Sequence, residues 1–263
     1  ARLAVKYMTP VMFLSDGYLG NGSEPWLIQN VEELPEIPVK FRTEKKDFAP
    51  YLRDENLSRP WVKPGTPELE HRIGGLEKQH ITGNVSYDPD NHEFMVKLRD
   101  SKIRKIADDI PLQTIYGNPD SDLLVVGWGS TYGPIYSAVE KMNANGKKVA
   151  GIHIRYLNPM PLNLGDLLKR YKKILIPEMN LGQLRMMIQA KYLVEVVGYS
   201  KVKGMPFTME EIETKIEEVV KSISLFNELI TKLYGENNSR KDIETTIGNY
   251  FEENLDQLVF YPE

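Results

Sequence analysis

The sequence contains no cysteine. That excludes a disulfide scaffold, a thiol nucleophile and any cysteine-ligated zinc or iron–sulfur site held by this chain, so any redox centre it serves belongs elsewhere. Long hydrophobic runs are also missing. No apolar stretch reaches the ~18 residues of a spanning helix, and no basic N-terminal stretch leads into a hydrophobic segment with a cleavage site. The expectation is a soluble, cytoplasmic protein with no membrane partner. Histidine is scarce, and the four present (His71, His80, His92 and His153) show no H-x-x-x-H or H-E-x-x-H spacing, so no metal site is expected. A G-x-S-x-G nucleophile elbow is absent as well. Charge of one sign is not concentrated where nucleic acid needs it. The net charge is −4, residues 204–263 hold 13 acidic and 5 basic residues, and the rest has 28 basic against 24 acidic. A mixed surface of that kind is no footprint for a phosphate backbone, and nucleic acid is not expected as a partner.

What is present is an ordinary globular balance, 41% hydrophobic and 27% charged, over a length that at roughly 150 residues per domain gives one large or two small domains. Residues 1–30 open with the apolar run Met8–Leu14, broken by Ser15-Asp16-Gly17 and followed by Gly20-Asn21-Gly22-Ser23-Glu24-Pro25-Trp26. This reads as a buried strand entering a loop. Only Ala1–Tyr7 precedes it, so the strand has no sheet of its own and the chain looks cut from a larger domain. Residues 31–120 form an irregular connector with nine prolines. Inside it Asp88-Pro89 predicts a helix start, with Phe94, Leu98, Ile103 and Ile106 as the buried face and an end near Ile110-Pro111.

Residues 121–223 alternate regularly. Leu123–Val126 predicts a strand, followed by a helix through Ile135, Ala138, Val139 and Met142 that stops at Asn145-Gly146. Val149–Leu157 is the next strand, and a helix around Leu164, Leu167 and Leu168 follows. Then come a strand at Ile174–Ile176, an apolar helix over Leu184–Val197 and a strand near Tyr199–Val202. The last helix has a capping box in Thr208 and Glu211 and a hydrophobic staple in Phe207 and Ile212. Such alternation predicts an α/β fold, a parallel-rich open sheet with helices on both faces. Residues 224–263 give two acidic amphipathic stretches, Leu225–Leu233 and Ile243–Leu258, of unassigned role. Because Leu184–Val197 is apolar around its whole circumference, a second subunit is expected to cover part of it, and a homo-oligomer follows.

Three places are candidates for chemistry. Gly127-Trp128-Gly129-Ser130-Thr131-Tyr132-Gly133 follows a strand and opens a helix, where backbone N–H groups suit an anion. Its G-x-G-x-x-x-G spacing misses the dinucleotide pattern, no lysine completes a P-loop, and Leu157-Asn158-Pro159 stands where a ribose-binding acid belongs. A structural turn is the main reading of Gly127, Gly129, Ser130 and Thr131, with a phosphate or cofactor contact as the alternative. Glu178, Asn180 and Gln183 follow the strand at Ile174–Ile176, at the edge where open parallel sheets bind ligands. They either cap the next helix or contact a ligand or a partner subunit. Asp16, Asn21 and Glu24 are weaker candidates. Ser15-Asp16-Gly17 is similar to the Gly-Asp-Gly with which thiamine diphosphate enzymes hold magnesium, but the accompanying asparagine pair is absent from Glu36–Asp47, so a turn is the better reading. No catalytic set belonging to the chain emerges. A free-standing nucleotide-binding module using Gly127–Gly133 and a non-enzymatic assembly scaffold are the rival readings.

Several blocks in order resemble the alpha subunit of 2-oxoacid:ferredoxin oxidoreductases, nearest to the 2-oxoglutarate enzymes. They are Tyr7-Met8-Thr9-Pro10 through Leu14-Ser15-Asp16-Gly17-Tyr18-Leu19, Gly74-Gly75-Leu76-Glu77 through Thr82-Gly83-Asn84-Val85-Ser86-Tyr87-Asp88-Pro89, Gly127–Thr131, Glu178–Leu184 and Lys203-Gly204-Met205-Pro206-Phe207-Thr208. The resemblance implies oxidative decarboxylation of a 2-oxo acid on thiamine diphosphate, acyl transfer to coenzyme A, and electrons passed through iron–sulfur clusters to ferredoxin. It also implies that a beta subunit holds the diphosphate, magnesium and iron–sulfur, that this chain binds no cofactor alone, and that it is inactive by itself. Residues 1–30 would end a pyrimidine-binding domain and residues 121–223 would be a transketolase C-terminal-like domain that builds subunit contacts. Nothing in the family is similar to residues 224–263.

Overall fold

A computed structural model describes residues 1–23, 25–234, 245, 247, 249 and 250. The chain divides into two compact units. One comprises Ala1–Pro111 with Tyr156–Pro161, the other Leu112–Arg155 with the chain from Leu162 onward.

The first unit is mostly irregular. Helix α1 (Arg2–Tyr7) ends where Met8 turns left-handed, at φ 44°, and α2 (Gly17–Asn21) is a little over one turn. Tyr7 is buried in a small cluster with Ile106 and Ile110, flanked by Leu3, Ile103 and Tyr156. Chain that makes no ladder is tied down by single bonds: Ser58 Oγ donates to the carbonyl of Lys6 at 2.6 Å, and Trp61 Nε1 to that of Val5 at 3.2 Å. Helix α3 (Pro89–Lys105) starts as its sequence predicts, with the Asp88 carboxylate accepting from the Asp90 N–H at 2.9 Å and proline at the first position.

Two expectations for this unit fail. Met8–Leu14 is not a buried strand: it joins no ladder among the described residues, and Met12, Phe13 and Leu14 are exposed. A strand must find partners for its backbone N–H and C=O groups, and this unit offers no sheet. On α3 the fully buried side chain is Met95 and Phe94 is exposed, while Leu98 and Ile103 are half-buried and Ile106, just past its end, is buried as expected; the expected face is wrong only at its first residue.

The second unit is a sheet of five strands: β1 (Tyr116–Gly117), β2 (Leu123–Trp128), β3 (Ala150–Ile154), β4 (Lys173–Glu178) and β5 (Val197–Ser200). Their order is β1-β3-β2-β4-β5, all parallel except β1, which runs antiparallel along β3. Leu123–Val126 is apolar without alternation because both faces are covered. Leu123, Val125, Leu175 and Val197 meet one helical layer, α4 (Tyr132–Ala144) and α7 (Met209–Tyr234), through Ile135, Val139, Ile212 and Ile216. The alternate residues Leu124, Val126, Ile174 and Ile176 are buried on the other face, the side on which right-handed crossovers put α5 (Leu164–Leu168) and α6 (Gln183–Tyr192). These two pack closely, since a Cβ on Gly165 would lie 2.8 Å from the Tyr192 ring. The α/β sheet with helices on both faces is therefore as the alternation predicts.

The α6 boundary corrects the expected Leu184–Val197 helix. Leu193 takes a left-handed conformation and ends it, and Val197 pairs with Leu175 in β5. The β-branched Val194, Val196 and Val197 favour a pleated neighbour over a further helical turn. Helix α6 buries Leu184 and Ile188 and leaves Met186 and Met187 exposed, so the described residues of this chain cover only one side of it. Helix α7 begins with the expected box: Glu211 N–H donates to Thr208 Oγ1 at 3.2 Å, and Thr208 N–H to Glu211 Oε2 at 2.8 Å. It runs unbroken past residue 223 to Tyr234 because Leu225 and Leu229 continue its apolar face. The expected stretch Ile243–Leu258 lies largely outside the described residues.

Candidate functional site

Strands β2 and β4 are parallel neighbours, Val125 opposite Leu175. After β2 the chain passes through α4 to β3 on one side; after β4 it passes through α6 to β5 on the other. The loops therefore leave the same carboxyl edge in opposite directions, the arrangement that opens a ligand crevice in such sheets. They also touch: Ser130 Oγ lies 3.5 Å from Met179 Sδ.

Thr131, Asn180 and Glu178 each engage backbone with their polar side chains. A Cβ on Gly127 would come within 2.8 Å of Ile135 Cδ1 and 3.1 Å of Thr131 Oγ1, so glycine is there to let helix and strand approach. Gly129 has φ 57°, a left-handed conformation. Thr131 is buried; its hydroxyl donates to the Trp128 carbonyl at 2.9 Å and accepts the Trp128 N–H at 3.1 Å. In the second loop, Asn180 Oδ1 accepts from the N–H groups of Gly182 and Gln183 at 2.7 and 3.0 Å. The Glu178 carboxylate, 1% exposed, accepts from those of Leu184 and Arg185 at 2.8 and 3.0 Å. Two side chains thus satisfy the first turn of α6 completely. Of the two readings of Glu178 and Asn180, helix capping is the one the bonds express.

The remaining candidates belong to the other unit. Asp16 precedes α2, and Asn21 closes it by donating from Nδ2 to the Gly17 carbonyl at 2.7 Å, on the surface. Glu24 lies outside the described residues. A chain without thiols offers no cysteine ligand to an iron–sulfur cluster. Among the described residues no three His, Asp or Glu side chains gather as metal ligands would, and no helix is long and apolar enough to cross a membrane.

Sequence reasoning missed an aromatic group beside the first loop. His153, opposite Gly127 on β3, meets the Tyr132 ring at 5.0 Å, and Tyr136 lies 5.5 Å from Tyr132 and 5.2 Å from Tyr116. Burial, helped by Arg155, lowers the His153 pKa to about 4, and burial raises that of Tyr116. The i, i+4 spacing of Tyr132 and Tyr136 is visible in the sequence, but nothing in the spacing of His153 links it to them.

Comparison with known proteins accounts for this arrangement. The family model for pyruvate:ferredoxin oxidoreductase core domain II matches residues 121–212, which spans all the parallel strands. The chain is 51% identical over 213 residues to the 2-oxoglutarate oxidoreductase subunit KorA of Mycobacterium tuberculosis, covering 80% of this chain and 32% of that protein. It is 29% identical to the 2-oxoglutarate synthase subunit KorA of Methanocaldococcus jannaschii, covering 81% of this chain and 57% of that one. Among solved structures, the 2-oxoglutarate:ferredoxin oxidoreductase from Magnetococcus marinus, determined with 2-oxoglutarate, coenzyme A and succinyl-CoA bound, superposes with a TM-score of 0.74 at 32% identity, over 82% of this chain and 38% of that one. The chain spans about a third of the length of the first of these relatives. Sequence and fold agree: over the part it spans, the chain is homologous to the alpha subunits of 2-oxoacid:ferredoxin oxidoreductases.

Proposed function

We propose that this chain serves as part of the alpha subunit of a thiamine-dependent 2-oxoglutarate:ferredoxin oxidoreductase of the cytoplasm, and that its own work is assembly. The complete enzyme decarboxylates the 2-oxo acid oxidatively, transfers the acyl group to coenzyme A and sends electrons to ferredoxin; a beta subunit holds thiamine diphosphate, magnesium and iron–sulfur. The observation that carries this reading is the 51% identity to the mycobacterial KorA subunit across four-fifths of the chain. Its residues support the same division of labour. The chain has no thiol for a cluster, and Thr131, Asn180 and Glu178 of its sheet-edge loops are engaged with their own backbone. Large apolar side chains at Met12–Leu14 and Trp26–Ile28 are exposed, which suits contact with another part of an assembly. The working division is 1–30 as the end of a pyrimidine-binding domain, 31–120 as connector, 121–223 as the sheet domain and 224–263 as an added acidic tail.

The test is purification of the chain alone and capture of its complex from source cells. A beta subunit should co-purify, and the chain alone should give no coenzyme A-dependent viologen reduction with 2-oxoglutarate. Turnover by the isolated chain would overturn the assembly role. Sedimentation should show a species heavier than the monomer.

A further inference from the structure

The irregular first unit contains a cavity of about 330 Å³ whose wall carries Arg53, Arg59, Lys78, Arg99 and Lys102 against a single acid, Glu77. That acid is already engaged, since Arg99 binds it at 3.0 Å and His92 at 2.8 Å. The other four cations have no carboxylate partner among the described residues. Lys78, almost fully buried, donates to the carbonyls of Gly74 and Leu76, and Lys102 donates to that of Met8 at 3.2 Å. The guanidinium groups of Arg53 and Arg59 both lie against the Tyr51 ring, at 5.3 and 4.9 Å. Arg53 Nη1 donates to the Tyr51 carbonyl at 3.2 Å. Arg59 Nη1 is buried with no hydrogen-bond partner among the described residues.

A buried guanidinium N–H with no acceptor costs free energy, and crowding four cations around one space adds repulsion. Lys102 expresses that repulsion: burial first, and then Arg53, Arg59 and Arg99, lower its pKa, with Asp54 opposing them more weakly. An arrangement that opposes folding in this way has a physical reason when an anion fills the space. Gly74 and Gly75, with φ of 70° and 69°, have nothing within 4 Å of a built Cβ, so this stretch of the wall is bare backbone that a ligand can approach closely.

We propose that this cavity is a binding site for a diphosphate-bearing anion. Four unneutralised positive charges match the three or so negative charges of a diphosphate better than the two of a dicarboxylate, and guanidinium forks fit phosphate oxygens in bidentate fashion. The proposal stands apart from the assembly role and does not rest on it.

Calorimetric titration of the 263-residue chain with sodium pyrophosphate, in phosphate-free buffer at low salt, tests it. Saturable binding is expected, weakened about tenfold or more by Arg53→Met or Arg59→Met, each of which removes a charge-assisted contact while preserving bulk against Tyr51. Arg104→Met, at an exposed arginine paired with Asp100, should bind as the unaltered chain does. Titration with ADP separates the sources: tighter binding than pyrophosphate assigns a nucleotide, and equal binding assigns free diphosphate. Without ligand, Arg59→Met should melt no lower than the unaltered chain, because it relieves repulsion; a purely structural arginine would lower the melting temperature. Should a variant fail to fold, protection of Lys102 from acetylation by pyrophosphate, read by mass spectrometry on the unaltered chain, still decides. No binding of pyrophosphate, tighter binding of glutarate, unaltered affinity in Arg59→Met or no protection of Lys102 would each overturn the proposal.

Discussion

Leu123–Val126 and Val11–Leu14 are both runs of four consecutive large apolar residues, and their surroundings differ completely. In the first every side chain is within 1% of full burial; in the second Val11 is 48% and Phe13 91% exposed. The difference lies in the neighbours. Leu123–Val126 has β3 and β4 on either side and helices over both faces, whereas Val11–Leu14 has no ladder and no layer among the described residues. Apolar character makes a segment seek burial, but only paired backbone permits burial as a strand. The first run thus serves the fold of this chain, and the second is available to something outside the described residues.

The sharpest way to break this contrast is to place the same charge in both runs. Leu124→Asp puts a carboxylate where no partner exists and should cost about 4 kcal/mol or more, enough to abolish cooperative unfolding of the sheet unit in urea. Phe13→Asp should change the stability of the isolated chain by no more than about 0.5 kcal/mol while preventing capture of the complex from cells. Equal destabilisation by both would mean that Val11–Leu14 is covered within this chain after all.

A smaller loss is expected at the carboxyl edge. Glu178→Ala strips the N–H groups of Leu184 and Arg185 of their acceptor in a buried place, which should cost about 2–3 kcal/mol and raise hydrogen exchange at those two amides. If Glu178 were a ligand contact instead of a cap, stability would hold and only activity of the assembled enzyme would fall.

These two sites also mark what the sequence made legible. The β2–α4–β3 unit could be read because an apolar run, a glycine turn and a 3.6-residue period each point to one structure, and the α7 start because Thr208 and Glu211 satisfy each other at fixed spacing. The end of α6 was misread because Val194–Val197 extends the helix's hydrophobicity without its geometry, and β1 escaped because two residues carry no period. Glu178 was legible as a residue with a purpose, while the choice between cap and ligand depends on where N–H groups of a later turn point. The cationic cavity left no pattern at all, since irregular chain assembles its charges from positions 53 to 102.

His153 offers a pH-dependent comparison between edge and interior. Its folded pKa of about 4 lies below the unfolded value of about 6.5, so between the two the unfolded chain binds more protons. Stability is therefore full above about pH 6.5 and declines as pH falls toward 4. The ceiling for this shift is near 3 kcal/mol; partial exposure reduces it to about 1–2 kcal/mol. His153→Phe, which retains a ring against Tyr132, should flatten this limb of the urea midpoint between pH 7 and pH 4.5. A limb of unchanged slope would assign the acid sensitivity to other groups.

The smallest effect expected compares the two units through matched helix caps. Asp88 caps α3 with one bond to the Asp90 N–H, and Thr208 caps α7 within a reciprocal box that Lys201 buttresses by donating to both Glu211 oxygens at 2.8 and 2.7 Å. Removing either cap as Asp88→Ala or Thr208→Ala should cost about 1 kcal/mol. The consequences should differ in reach. Helix α7 lies along the sheet through Ile212, Ile216 and Val219, so loss of its cap is resisted by burial one turn later and should fray only its first turn. Helix α3 buries Met95 alone over its length, so loss of Asp88 should loosen more of it. Amide exchange is the measure: in Thr208→Ala, faster exchange should stop near Ile212, and in Asp88→Ala it should extend to Met95 and beyond. Equal reach in both helices would mean that packing in the irregular unit holds α3 as firmly as the sheet holds α7.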